Sequence, residues 1–188
     1  MGESVILARV VAAAAVTDGA AESRAANDFA AIVLQQQSMV YSLALHFLRD
    51  PATAEEVAQD VFLELHKRLD TLTSPAHLLF WLRKVTSHRC IDYARRRRWA
   101  QVSLEDVAEI GSEDASPDPL LAKSLGRLVA SLPETARLVV ILRYQEDLTP
   151  TEIADVLSMP LATVKSQLQR SLAMLREKAT RVMGKVGR

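Results

Sequence analysis

TPTEIADVLSMPLATVKSQLQRSLAMLREK, residues 149–178, is the stretch whose reading decides the fold. Thr149 is placed to cap a helix. Pro150 sits at the first helical position, where its missing N–H costs nothing, and Glu152 completes a capping box. Ile153, Val156 and Leu157 form a short apolar face. Ser158-Met159-Pro160 interrupts that helix, because Pro160 clashes with a continuing turn and pushes Met159 towards an extended conformation. A second helix carries Val164, Leu168, Ser171 and Leu175 on one face, at spacings of three and four. Its other face shows Thr163, Lys165, Ser166, Gln167, Gln169 and Arg170, side chains able to hydrogen-bond base edges and phosphates in a major groove. The pattern predicts a helix-turn-helix whose second helix is the recognition helix.

An amphipathic helix pair with a polar outer face is also what an ordinary helical hairpin shows. Charge separates the two readings. From Thr163 to Arg188 there are seven Lys/Arg against one acidic residue, Glu177, where a generic solvated face would mix the signs.

Working outward, the 188 residues suit one or two domains. Apolar residues make up 49%, with only 6 Gly and 7 Pro, and β-branched alternation is nearly absent. Ala, Leu, Arg and Glu dominate, which predicts an all-α protein. The single cysteine, Cys90, excludes an internal disulfide framework and fits a reducing compartment. Four scattered histidines (His46, His66, His77, His88) and one cysteine give no metal-ligand spacing. No Gly-rich phosphate loop or nucleophile motif appears, so neither a cofactor nor a metal is expected.

The formal net charge is zero but strongly partitioned: −2 over residues 1–28, +3 over 29–100, −6 over 101–119 and +5 over 120–188. Two basic bodies joined by an acidic strap suggest an anionic partner reached by both. Residues 1–27 are Ala-rich and read as a poorly ordered or loosely helical extension. Val5 to Val16 is apolar apart from Arg9, too short for a span of ~20 residues, and no basic segment precedes it.

The first helix is expected over Phe29 to Leu48, with Phe29, Ile32, Val33, Val40, Leu43, Ala44 and Phe47 inward. Asp50-Pro51 stops it and starts a second, Ala52 to Leu72, with Val57, Val61, Phe62 and Leu65 as its buried stripe. The opposite side carries Glu55, Glu56, Gln59 and Asp60, which helix-dipole logic alone would accommodate near an N-terminus. A third helix, from Ser74-Pro75 to about Arg98, contains FWLRKVTSHRCIDYARRRRW. Phe80, Trp81, Val85, Ile91 and Tyr93 are expected to supply bulky packing. Seven Lys/Arg from Arg83 to Arg98 face one acidic residue, Asp92. Four consecutive arginines repel one another unless an anion screens them. Aromatics interleaved with arginine also offer single-stranded nucleic acid stacking surfaces and phosphate neutralisation.

Gln101 to Pro119 has six acidic residues, no basic one, and the breakers Gly111, Pro117 and Pro119, and reads as a flexible linker. Leu120 to Leu132 and Glu134 to Glu146 read as helices that join the helix-turn-helix in a second bundle. The expected fold is therefore two small helical bundles joined by a flexible acidic linker.

Between Phe29 and Lys178 the chain resembles the extracytoplasmic-function group of bacterial sigma factors. DPATAEEVAQDVFLEL is similar to that family's polymerase-binding helix, FWLRKVTSHRCIDYARRRR to its minus-ten promoter helix, and SLPETARLVVILRYQEDLTPTEIADVLSMPLATVKSQLQRSLAMLR to its minus-thirty-five domain. Each motif is degenerate alone; three in this order, with an acidic linker before the last, are specific. The resemblance implies a cytoplasmic, non-enzymatic protein without membrane insertion. It would bind core RNA polymerase, direct it to promoters, help melt the DNA, and be held by an anti-sigma factor. It implies region 2 over residues 28–99, a linker over 100–119 lying along the RNA exit path, and region 4 over 120–180.

By the same resemblance, Glu55, Glu56, Gln59 and Asp60 would meet polymerase. The minus-ten contacts would be His77, Trp81, Arg83, Lys84, His88, Arg89, Asp92, Arg95 and Arg96, with Leu72 to Leu79 holding an unstacked base. The minus-thirty-five contacts would be Thr163, Lys165, Ser166, Gln167, Gln169 and Arg170. The chain departs from the family pattern at His88, where Asn is common. Gln167 and Leu172 replace frequent arginines, and Ala162 a frequent glycine, so the family's promoter sequences do not carry over. Two other readings compete. A dimeric helix-turn-helix regulator not bound to polymerase leaves the acidic helix, the arginine run and the linker without a use. A pure protein-interaction module leaves both basic faces unexplained.

Overall fold

The computed structural model describes residues 20–72, 74–101 and 119–186. The chain divides into two units, Met1–Glu105 and Asp106–Arg188. Among the described residues there are seven α-helices, one short 3-10 turn and no strand. The expected linker lies almost wholly outside the described residues.

In the first unit, α1 runs Ala20–Leu48, α2 Pro51–Arg68 and α3 Pro75–Gln101. Helix α1 begins earlier than the apolar period suggested. Residues 20–28 are mostly Ala, Glu and Arg with no breaker, and such residues extend a helix that is already nucleated. Of the stretch expected to be poorly ordered or loosely helical, residues 20–27 are helical, while 1–19 lie outside the described residues. Phe29, Val33, Val40, Leu43, Ala44 and Phe47 are buried on α1, and Ala54, Val57, Ala58, Val61, Phe62 and Leu65 on α2. A fully buried side chain such as Phe62 contributes about 1.5–3 kcal/mol relative to an exposed one.

Asp50 caps α2, accepting from the Ala52 N–H at 3.2 Å and from the Thr53 hydroxyl. Helix α2 ends four residues earlier than expected, at Arg68. There the chain tightens into a 3-10 turn, Leu69–Thr71, in which the Thr71 hydroxyl donates to the Arg68 carbonyl at 2.7 Å. Ser74 starts α3, its hydroxyl accepting from the His77 N–H at 3.2 Å.

The inner face of α3 differs from the expectation. Leu82, Thr86, Ser87 and Cys90 are buried, while Trp81, Val85, Ile91 and Tyr93 are half-buried and Phe80 is 36% exposed. Helix α3 packs against both α1 and α2. A helix wedged against two others is closest to them along its small residues, which leaves the large rings at the margins. The Thr86 hydroxyl is satisfied by the Leu82 carbonyl at 2.7 Å. The Cys90 thiol is pushed up to about 12 by burial, so it stays protonated and inert at neutral pH.

The second unit holds α4 (Pro119–Ala130), α5 (Glu134–Tyr144), α6 (Pro150–Leu157) and α7 (Leu161–Val186). Leu138, Leu142, Ile153 and Val164 are fully buried, and Leu132, Ala136 and Val140 pack against Met174 and Leu175 of α7. The capping box forms as the spacing predicts: the Glu152 N–H donates to the Thr149 hydroxyl at 3.3 Å, and the Thr149 N–H to the Glu152 carboxylate at 2.7 Å. Ser158 closes α6 in the left-handed region, φ 53°, and the Met159 N–H then reaches the Ala154 carbonyl at 2.9 Å. The Pro160 carbonyl accepts from the Thr163 N–H at 2.9 Å, which starts α7 at an angle to α6. Pro160 thus ends one helix and opens the next.

Candidate nucleic-acid interface

A cleft of about 450 Å³ opens between the end of α2 and the stretch of α3 from His77 to Asp92. His77, Trp81, Lys84, His88 and Asp92 line it because helical spacings of three and four put them on one stripe. Phe80, Val85 and Arg89 flank that stripe, and α2 contributes Glu64 and Arg68 as the opposite wall. The cleft therefore brings together six of the nine side chains expected at the minus-ten element. Arg83, Arg95 and Arg96 are not among its lining residues. Arg83 is half-buried and shares its side of α3 with Ser87 and Cys90, four and seven residues on, so it belongs to the packed face. Arg95 and Arg96 are exposed further along the helix.

Polar groups of the cleft are tied to one another. Arg89 Nη2 donates to Glu64 Oε2 at 2.8 Å, and Arg68 Nε lies 3.6 Å from Glu64 Oε1. The Glu64 hydrogen bond, reinforced by the charges of Glu64, Asp60 and Asp92, raises the Arg89 guanidinium above its ordinary value. Asp92 pairs with Arg95 at 2.8 Å. Lys84 Nζ stands 5.7 Å from the Phe80 ring centroid, and Arg96 stacks over Tyr93 at 5.8 Å. Aromatic faces, fixed cations and two carboxylates in one open cleft can stack a base, neutralise a phosphate and accept from an exocyclic amine.

On α2, Glu56 is exposed, and Glu55, Gln59 and Asp60 are half-buried. Asp60 also faces α3, where its carboxylate accepts from the Tyr93 hydroxyl at 3.4 Å. Burial first, then the negative charges of Asp60 and Glu56, push that phenol up. The acidic strip thus has an outward part at Glu55 and Glu56 and an inward part at Asp60 and Glu64. Glu64 and Arg68 were absent from the sequence-derived set. Their signal was present in the run Glu56, Asp60, Glu64, Arg68, each four residues from the last, which continues the acidic strip towards α3.

In the second unit, Lys165, Gln169 and Arg170 are exposed on α7, and Thr163, Ser166 and Gln167 are half-buried beside them. Val164 and Ser171 are buried on the reverse side, with Leu168 and Leu175 half-buried. All six expected minus-thirty-five side chains therefore lie on one helix, off its packed seam.

The family description "Sigma-70 region 2" matches residues 32–100, and "Sigma-70, region 4" matches residues 122–175. An extracytoplasmic-function RNA polymerase sigma factor of Mycolicibacterium vanbaalenii, SigK, is 30% identical over 163 residues, 82% of this chain and 83% of that protein. The chain belongs to the extracytoplasmic-function sigma factors. RfaY, a sigma factor relative from Xanthomonas campestris pv. campestris, is 32% identical over 154 residues, 77% of this chain; the match spans 38% of that longer protein. The fold is similar to that of the sigma factor RpoE of Bartonella quintana in complex with the anti-sigma factor NepR. That likeness has a TM-score of 0.66 at 21% identity and covers 80% of this chain and 95% of that one.

As a sigma factor the chain directs RNA polymerase to promoters. The match to region 2 gives α1–α3 the use that a dimeric helix-turn-helix regulator would deny them. No helix among the described residues is long and apolar enough to cross a membrane, and none of their His, Cys, Asp and Glu side chains group as a metal site.

Proposed function

We propose that this sigma factor divides promoter reading between two surfaces and docks on core polymerase with a third. Docking uses the outward carboxylates of α2, Glu55 and Glu56, with Gln59 and Asp60 beside them, against a basic surface of the polymerase. The α2–α3 cleft takes unstacked bases of the non-template strand. Trp81 supplies the stacking face, Lys84, His88 and Arg89 the cationic and donor groups, and Arg95 and Arg96 extend the positive track along α3. Unstacking a base costs a few kcal/mol, and stacking on the protein returns ~1–3 kcal/mol per base. Helix α7 reads the upstream duplex element through Lys165, Gln169 and Arg170, with Thr163, Ser166 and Gln167 at its edge. Residues 28–99 and 120–180 serve as the region 2 and region 4 bodies. The work is binding rather than catalysis, in the cytoplasm where polymerase and promoter meet. An anti-sigma factor, as held by the RpoE relative, is the proposed antagonist.

The observation that carries this reading is the cleft, which joins aromatic faces to fixed cations on the helix next to the acidic one. Open-complex yield on duplex and on pre-melted bubble templates tests it. Trp81→Ala should impair strand opening on duplex and be partly rescued by the bubble. Arg170→Ala should not be rescued. Equal rescue of both would overturn the division of labour.

A further inference from the structure

Two carboxylates line the cleft, Asp92 on α3 and Glu64 on α2, and neither belongs to the docking face. Glu64 projects from α2 into a lining made mostly of cations and rings, and its side chain is 26% exposed. One oxygen takes the Arg89 hydrogen bond at 2.8 Å, and the other faces Arg68 at 3.6 Å. A carboxylate at this place is costly for a site meant to receive a polyanion, since it repels phosphate. Something must offset that repulsion.

The geometry of Arg89 supplies the reason. Its guanidinium spends one Nη2 donor on Glu64, and the side chain remains 38% exposed. A guanidinium has five N–H donors in a rigid fork, so donors remain for a second partner. An unrestrained arginine loses rotamer freedom when it binds, a cost of the kind that pre-organisation removes. Tied to a half-buried carboxylate 25 positions earlier in the chain, Arg89 has already lost that freedom. We propose that Glu64 is a positioning residue for promoter recognition: it holds the Arg89 guanidinium at the mouth of the cleft in the orientation that contacts a base of the single strand. The inference rests on the assignment of the cleft to unstacked bases. It adds that selectivity there comes from a fixed arginine rather than from positive charge as such.

A bond that merely stabilises α2 against α3 predicts that losing Glu64 weakens all binding alike. Positioning predicts that two quantities move in opposite directions. Without Glu64 the cleft gains net positive charge, so affinity for any single strand rises and its salt dependence steepens. With Arg89 released, preference for the right strand falls.

The experiment uses holoenzyme assembled from full-length chain and core polymerase. A randomised single-stranded DNA pool is selected on the wild type, and the enriched strand is then compared with oligo(dT) for each variant. Glu64→Ala should bind oligo(dT) more tightly than wild type. Its preference for the enriched strand should drop about fivefold or more, the lower end of what one well-placed bidentate contact contributes to base discrimination. Glu64→Gln, whose amide oxygen still accepts from Arg89, should keep more of that preference than Ala. Adding Glu64→Ala to Arg89→Ala should cost nothing further.

Preference unchanged within about twofold in Glu64→Ala, or losses that add in the double variant, would overturn the positioning role. So would Gln behaving as Ala does. If Arg89→Ala itself kept full preference, the positioning role would fall, and the single-strand reading of the cleft would stand or fall with Trp81→Ala. If Arg89→Ala lost preference and Glu64→Ala did not, only the positioning role would fall. Thermal unfolding monitors the fold, and Glu64→Gln carries the comparison should the Ala variant be unstable.

Discussion

The two proposed reading surfaces handle their cations differently. In the α2–α3 cleft both arginines are held by one acid, Arg89 and Arg68 on Glu64, and just beyond it Asp92 holds Arg95. On α7, Lys165 and Arg170 are exposed and carry no ion pair among the described residues. The difference matches what each surface would meet. Duplex DNA is stiff and presents phosphates and base edges at set positions, so free side chains can adapt to it. A single strand has no shape of its own, and order at that contact must come from the protein. Restraint by carboxylates lowers net positive charge, which is tolerable in a cleft that also stacks bases and wasteful on a helix that binds a duplex.

Four measurements break or sharpen this contrast. The largest effect is expected from reversing the outward acids of the first unit, Glu55→Lys with Glu56→Lys. Like charges brought together at an interface cost several kcal/mol, so core polymerase binding should fall steeply and partly recover in high salt. The isolated protein should unfold within about 0.5 kcal/mol of wild type, as surface changes usually do. Asp60 is left out because its carboxylate also receives the Tyr93 hydroxyl. Unchanged polymerase affinity at moderate salt would mean that docking does not use this face.

Next in size is Arg170→Ala on the free surface of α7. If the arginine reads a base, upstream duplex binding should weaken by ~1–3 kcal/mol and preference relax at one position. If it touches phosphate alone, the loss should be uniform over sequences, with a shallower salt slope. Salt titrations on a set of duplexes decide which. No loss on any duplex would remove α7 from the comparison.

Third, Thr149→Ala removes the hydroxyl that accepts from the Glu152 N–H. It should lower stability by about 1 kcal/mol, the usual value of an N-cap, and weaken duplex binding only as far as α6 frays. Urea denaturation measures the first effect. Single-strand selectivity in holoenzyme should not change, and a change there would contradict the separation of the two surfaces.

The smallest effect is a gain. Ser158 sits at φ 53°, where a side chain carries a steric cost that glycine escapes. Ser158→Gly should raise the unfolding midpoint by the equivalent of about 0.5–1 kcal/mol, after the extra entropy of glycine in the unfolded chain is counted. A lower midpoint would mean that the serine side chain contributes more at this turn than its backbone strain removes.

Much of this protein follows from spacings of three or four residues. The capping box at Thr149 and Glu152, the cap at Asp50, the stop at Pro160 and the seam on α7 are local hydrogen bonds and local periodicities. They hold almost wherever the helix ends up, so they were legible without the fold. The order of the three motifs was equally legible and pointed to the family that the 30% identical SigK, beside the matches to regions 2 and 4, shows. Tertiary structure decided what a single helix leaves open. The period of α3 allowed a buried face built from Phe80, Trp81 and Tyr93. Its position against both α1 and α2 chose Leu82, Thr86, Ser87 and Cys90 instead, and left Phe80 and Trp81 to the cleft and Tyr93 to Asp60. Arg83 went to the packed side and Arg89 to the open one, though both read alike as basic residues. The Glu64–Arg89 and Asp60–Tyr93 pairs span 25 and 33 positions. No local rule couples residues that far apart. They meet because the apolar faces of three helices, buried together, bring one side of α2 against one side of α3.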